Sequence, residues 1–196
     1  MEENYAIPNI WCSFDLEMEQ PEGYIIQIGA VAFDIYTGKI VDKLKIYVRP
    51  PDNKPLSEFI IKLTGITQEQ IDREGRSLLL GYCEIKDFMA RNKCFRDPVC
   101  WGGNDGAYLR TQLKLRSAFN STNEKFCFGS SVFDTKKFYQ VYCAVNGRKT
   151  MRGGQATAQN SLGMPFKGRV HDALDDATNG VPLFLFLSKS FKKEQK

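Results

Sequence analysis

The chain has 196 residues, enough for one α/β core covered on both sheet faces and too few for two ordinary enzyme domains, so a single domain over 1–196 is expected, with mobile ends at about 1–8 and 190–196. A hydrophobic fraction of 42% and an aromatic fraction of 12%, with no repeat or low-complexity tract, exclude a disordered or fibrous chain. The net charge of +4 is mild, but Lys136, Lys137, Arg148, Lys149, Arg152, Lys167, Arg169 and the tail from Lys189 to Lys196 crowd into the C-terminal third, which suits a polyanion as well as an ordinary solvated surface.

The start, Met1-Glu2-Glu3-Asn4, has no basic segment ahead of an apolar one, and the most apolar stretch, Val181 to Leu187, is far short of the roughly 20 residues that cross a bilayer. An intracellular, cytoplasmic protein without a membrane partner is expected, nuclear if the source is eukaryotic. Cys12, Cys83, Cys94, Cys100, Cys127 and Cys143 form no Cys-x-x-Cys pair and have one His for company, so they read as free thiols in preference to zinc ligands.

In chain order, Asn9 to Met18, Tyr24 to Phe33 and Lys39 to Arg49 read as three strands of an antiparallel meander, with turns at Gly23 and Asp34 to Gly38. Pro50-Pro51 stops the pairing. Ser57 to Leu63 and Thr67 to Ile71 read as short helices and Leu78 to Arg91 as a longer one. Pro98 to Trp101 is a fourth strand, Asp105 to Arg116 a helix, Ser130 to Phe133 a fifth strand, and Thr135 to Val145, Gln155 to Leu162 and Asp172 onward three further helices. Pro182 inside the last helix predicts a kink. The pattern gives an α/β fold: a mixed five-stranded sheet, antiparallel over strands 1 to 3 and parallel thereafter, flanked by helices, as in an RNase H-like domain.

Asp15 and Glu17 stand two apart in the strand-like run from Ile10 to Glu17, so alternation turns both to one face. Two carboxylates on one side of a buried strand resist ionisation unless cations neutralise them, and hard oxygen ligands select magnesium or manganese. The alternative is that the strand ends early and both acids are solvated. Asp105 follows Val99-Cys100-Trp101-Gly102-Gly103-Asn104, placing it where a strand gives way to a helix, either as a ligand group or as a helix cap. In His171-Asp172-Ala173-Leu174-Asp175-Asp176, Asp172 caps a helix, with Asp175 reaching back as in a capping box. His171 then stands outside the helix and Asp176 within its first turns. A neutral imidazole there can accept a proton near pH 7.

Phe14-Asp15-Leu16-Glu17, Trp101-Gly102-Gly103-Asn104-Asp105 and His171 to Ala177 resemble, in order and separation, the three motifs of the DEDDh 3′-to-5′ exonucleases. That group includes the proofreading subunit of bacterial replicases, RNase T, oligoribonuclease and the Eri-type trimmers of RNA. Ile26 to Val31 and Leu63 to Thr67 are similar to framework segments of the same family, and Leu162-Gly163-Met164-Pro165-Phe166-Lys167-Gly168-Arg169 looks most like the Eri-type branch. Met18 stands where many relatives carry Thr or another small residue.

The resemblance implies catalytic residues Asp15, Glu17, Asp105, His171 and Asp176. The four acids would hold two Mg2+, with Mn2+ able to substitute, and His171 would take a proton from the attacking water. It implies release of nucleoside 5′-monophosphates from single-stranded RNA or DNA with a free 3′ end, RNA favoured. Leu16, Met18 and Trp101 are candidate contacts to the terminal nucleotide. The alternatives are a DNA trimming or proofreading exonuclease, and a binding-only module on the same fold.

Overall fold

A computed structural model describes residues 7–103, 105–116, 125–150 and 152–190. The expected chain ends lie mostly outside those residues. The elements are β1 (Ile10–Met18), β2 (Ile25–Asp34), β3 (Ile40–Tyr47), α1 (Glu58–Thr64), α2 (Gln68–Glu74), α3 (Leu78–Arg91), β4 (Val99–Cys100), α4 (Asp105–Arg116), β5 (Phe133–Asp134), α5 (Thr135–Val145), α6 (Gln155–Ser161) and α7 (Ala173–Lys189).

The strands form one sheet in the order β3-β2-β1-β4-β5. β1–β2 and β2–β3 are antiparallel, and β1–β4 and β4–β5 are parallel, as the strand pattern predicted. β5 falls at Phe133–Asp134, not Ser130 to Phe133: the register pairs Val99 with Phe133 and Cys100 with Asp134, so the partner strand decides which residues extend.

Alternation along β1 separates two environments. Cys12, Phe14 and Leu16 face a large core with Tyr82, Ile85 and Phe88 of α3 and Leu109 and Leu113 of α4. Trp11 faces the other way, against Ala177, Val181 and Phe184 of α7. Further along that second face the strand carries Ser13, Asp15 and Glu17, so the face turns from apolar to acidic as it approaches the start of α7.

α7 begins because Asp172 accepts hydrogen bonds from the N–H groups of Leu174 and Asp175 (3.1 and 3.2 Å). Asp175 does not reach back to complete the predicted capping box; its Oδ2 accepts from the Arg169 N–H at 2.8 Å and ties down the loop before the helix. Pro182 does not divide α7, which runs from Ala173 to Lys189 as one element. Pro182 is exposed, so the bond its missing N–H forfeits lies on the outer side, where water can replace it. No helix among the described residues is long and apolar enough to cross a membrane.

Candidate active site

Three carboxylates meet where β1 passes beneath the first turns of α7. One oxygen from each of Asp15, Glu17 and Asp176 lies within 4.8 Å of the others. Asp15 and Glu17 arrive by strand alternation, and Asp176 because it is the fourth residue of a helix whose start is pressed against β2. Gly29, paired with Asp15 across the strands, allows that approach: a Cβ on Gly29 would stand 2.1 Å from the Ala173 carbonyl oxygen.

Like charges this close, and largely out of water, push one another toward the neutral form. Asp15 is held well above the ordinary carboxylate range, by burial first and then by Asp105, Asp176 and Glu17. Glu17, 8% exposed, is pushed up to about 8 by burial and then by Asp176, Asp172 and Asp105. Asp176 is raised to about 6 by burial, partly offset by the hydrogen bond it accepts from the His171 N–H. Asp105 is raised by burial against the opposing hydrogen bond from the Cys100 thiol, with the charge of Asp134 adding to the rise.

Asp105 is the first residue of α4 and heads the charged groups acting on Asp15, yet its oxygens do not join the tight group of three. It stands as a fourth carboxylate on the β4 side. The turn that delivers it is fixed by Asp134, which accepts from the Gly102 N–H at 2.9 Å and also from the Lys136 N–H at the start of α5. Gly102 has φ 71°, a conformation that glycine adopts without strain.

His171 is exposed, sits just before the cap of α7 with φ 63°, and donates its main-chain N–H to Asp176 Oδ2 at 2.8 Å. It borders a cleft of about 390 Å3 that also touches Asp15, Glu17, Asp176, Trp101 and Val170. All five predicted catalytic residues therefore gather at one place, the fourth acid slightly apart.

The three predicted nucleotide contacts divide. Trp101 is half-buried, packs on Tyr139 with ring centroids 6.1 Å apart, and lines the cleft. Leu16 is 6% exposed with its side chain in the large core on the opposite face, and Met18 packs against that same core. If Asp15 and Glu17 share a face, the Leu16 side chain points away from it, although the residue still borders the cleft. Residues not anticipated complete the wall: Gly154, Gln155, Ala156 and Thr157, from the turn and first turn of α6. Gln155 Nε2 donates to the Asp176 carbonyl oxygen at 2.9 Å. The Gly153-Gly154 pair ahead of a helical pattern was the one signal that backbone comes close there.

The cluster fits a divalent cation. Its oxygens are grouped, partly withdrawn from water and short of positive charge, a set that hard cations with oxygen preference neutralise.

Comparison with known proteins points the same way. Residues 13–99 match the RNase T exonuclease family model. The mouse 3′-5′ exoribonuclease 1 (Mus musculus) is 29% identical over 181 residues, covering 86% of this chain and 50% of the relative. The human ERI1 exoribonuclease 2 (Homo sapiens) is 30% identical over 175 residues, covering 79% of this chain and 24% of that protein. The chain thus spans about half the length, or less, of these curated relatives. Among solved structures, the nuclease domain of 3′hExo, a DEDDh family member bound to rAMP, superposes with a TM-score of 0.72 at 24% identity, covering 97% of this chain and 96% of that one. Cell-death related nuclease 4 gives a TM-score of 0.76 at 20% identity, covering 93% and 64%. Both place this chain on the RNase H-like exonuclease fold. Motif order, sheet topology and the convergence of the acids agree with these likenesses: the chain is similar to the RNase T-type exonucleases, whose family model residues 13–99 match.

Proposed function

We propose that this chain is a divalent-metal-dependent 3′-to-5′ exonuclease that releases nucleoside 5′-monophosphates from single-stranded ends inside the cell, with RNA favoured over DNA, as one domain over its length. The observation that carries the reading is the trio of carboxylates, Glu17 buried and Asp15 half-buried, within 4.8 Å, contributed by two elements far apart in sequence and standing beside the only imidazole. The preference for RNA draws on relatives that are themselves described as exoribonucleases.

In this reading Asp15, Glu17, Asp105 and Asp176 would hold two Mg2+, with Mn2+ able to substitute. Bound divalent cations would supply charge neutralisation for the phosphodiester and for the entering and leaving oxygens. The protein's own part is mostly placement, which is what phosphoryl transfer chiefly requires. Asp176 holds the His171 backbone so that the ring stands at the mouth of the cleft, where it accepts the proton of the attacking water. Trp101 offers a flat apolar wall for the terminal base, and the cleft at about 390 Å3 suits one nucleotide in place of a duplex.

The test is digestion of matched RNA and DNA oligonucleotides labelled at the 5′ end. A descending ladder from the 3′ end, faster on RNA and abolished by chelator, is expected. Release from the 5′ end contradicts the polarity, faster digestion of DNA reverses the sugar preference, and tight binding without cleavage leaves a binding module.

A further inference from the structure

We infer that Gln27, acting with Lys45 through Asp172, is a positioning residue that sets where Asp176 stands relative to Asp15 and Glu17. The inference rests on the metal reading proposed above, and concerns how the fold places one of its ligand groups.

Gln27 is fully buried and lies directly opposite Glu17 in the β1–β2 register. Its side-chain amide is used at both ends on a single turn of α7. Oε1 accepts from the Ala173 N–H at 2.7 Å, and Nε2 donates to Asp172 Oδ2 at 3.3 Å. Lys45, one strand further out on β3, reaches the same Oδ2 with Nζ at 2.6 Å. The other oxygen, Asp172 Oδ1, caps the helix, and the Asp172 carbonyl accepts from the Asp176 N–H at 2.8 Å. A continuous chain of contacts therefore runs from the strand position facing Glu17, through Asp172, to Asp176.

Capping alone would need only Asp172. Two further ties from two different strands do something that a cap does not: they fix the lateral position of the helix start on the sheet. Gly29, two residues along β2 and opposite Asp15, fits the same purpose by letting Ala173 come into contact. The two β2 residues that face the acids of β1 are thus the two that locate the helix carrying the third acid. Opposite the Asp172 carboxylate an ionised acid could not do this at position 27, because one end must donate and the other accept, as an amide does.

The experiment measures Mn2+ binding by calorimetry, alongside oligonucleotide kinetics and thermal melting, for the wild type, Gln27→Glu, Lys45→Met and the double variant Gln27→Glu with Asp172→Asn. In the double variant the donor and acceptor are exchanged. The carboxylate introduced at position 27 still accepts from the Ala173 N–H and now also from the amide introduced at position 172, whose own oxygen keeps the cap. Gln27→Glu alone should weaken Mn2+ binding and lower kcat by about 10-fold or more, with KM for the oligonucleotide little changed. Lys45→Met, at a partly exposed position, should fold and show the same effect more weakly. The double variant, which restores the tie at position 27 but leaves Lys45 without its acceptor at position 172, should recover both losses to about the level of Lys45→Met.

If Gln27→Glu does not fold, Lys45→Met and the recovery of the double variant toward wild type decide the matter. Wild-type Mn2+ affinity in the folded single variants, or no recovery in the double variant, overturns the positioning role alone. Absence of Mn2+ binding by the wild type overturns the metal reading, and this inference with it.

Discussion

The main-chain N–H of His171 donates to Asp176 Oδ2 at 2.8 Å, so the chain's only imidazole is held in place by one of the acids of the cluster. The contact is made by the backbone, which leaves both ring nitrogens free of this bond and makes the ring separable from its placement.

That separation can be tested by replacing His171 with Asn. The residue has φ 63°, and Asn tolerates the left-handed region better than most side chains, so the loop and its bond to Asp176 should persist. The loss of the proton acceptor should lower kcat by about 10²- to 10⁴-fold. Mn2+ affinity should change little, and calorimetry beside single-turnover kinetics checks both.

The raised carboxylates make stability depend on pH in a definite direction. A carboxylate that titrates higher in the folded state than in the unfolded one binds more protons when folded, so its contribution is fully present below the unfolded value and lost as pH rises through the folded one. With Asp176 at about 6, Glu17 at about 8 and Asp15 raised as well, the metal-free protein should lose stability from about pH 4.5 to above pH 8. Added Mg2+ should restore most of that loss at pH 8 and little at pH 5, because cations compete with protons for the same oxygens. Melting curves in chelator and in Mg2+ across this range show it.

Removing one charge from the cluster should trade function for stability. Glu17→Gln removes the repulsion of Glu17 with Asp176, Asp172, Asp105 and Asp15, so the metal-free variant should melt higher than the wild type at pH 8 while losing exonuclease activity. Equal or lower melting in chelator would mean that repulsion is not what limits the apo protein.

Gly29→Ala probes the packing that brings α7 to the sheet. The added methyl would meet the Ala173 carbonyl at 2.1 Å, and the nearest atoms are backbone, so no rotamer change relieves it. A stability loss of about 1–3 kcal/mol in urea titration is expected, with activity falling further than stability because Asp176 moves with the helix.

Much of this was legible in the amino-acid order alone. Alternation revealed β1 and the shared face of Asp15 and Glu17, since a period of two needs only local sequence. Ser57, where the first helix was expected to begin, accepts a capping bond from that helix, whereas Ser77 and Asp134, which cap α3 and α5 in the same way, drew no reading from the sequence. The two-residue strands β4 and β5 were less legible, because their extent is set by the partner's register. The same alternation that assigned the acids also required Leu16 to face the opposite core, a consequence the motif resemblance obscured. The ties made by Gln27 were invisible for another reason. They join positions 145 and 146 residues apart, and nothing in the local pattern of Ile26-Gln27-Ile28 marks the amide as more than a framework polar residue.

Soaking crystals of the protein in Mn2+ and recording anomalous scattering tests the central claim most directly. The account predicts a strong peak bounded by carboxylate oxygens of Asp15, Glu17 and Asp176, with a second on the Asp105 side of Asp15 when a nucleoside 5′-monophosphate is also present. Crystals whose dissolved protein cleaves 3′ ends, yet whose manganese lies elsewhere and leaves these three carboxylates without an ion, would contradict it.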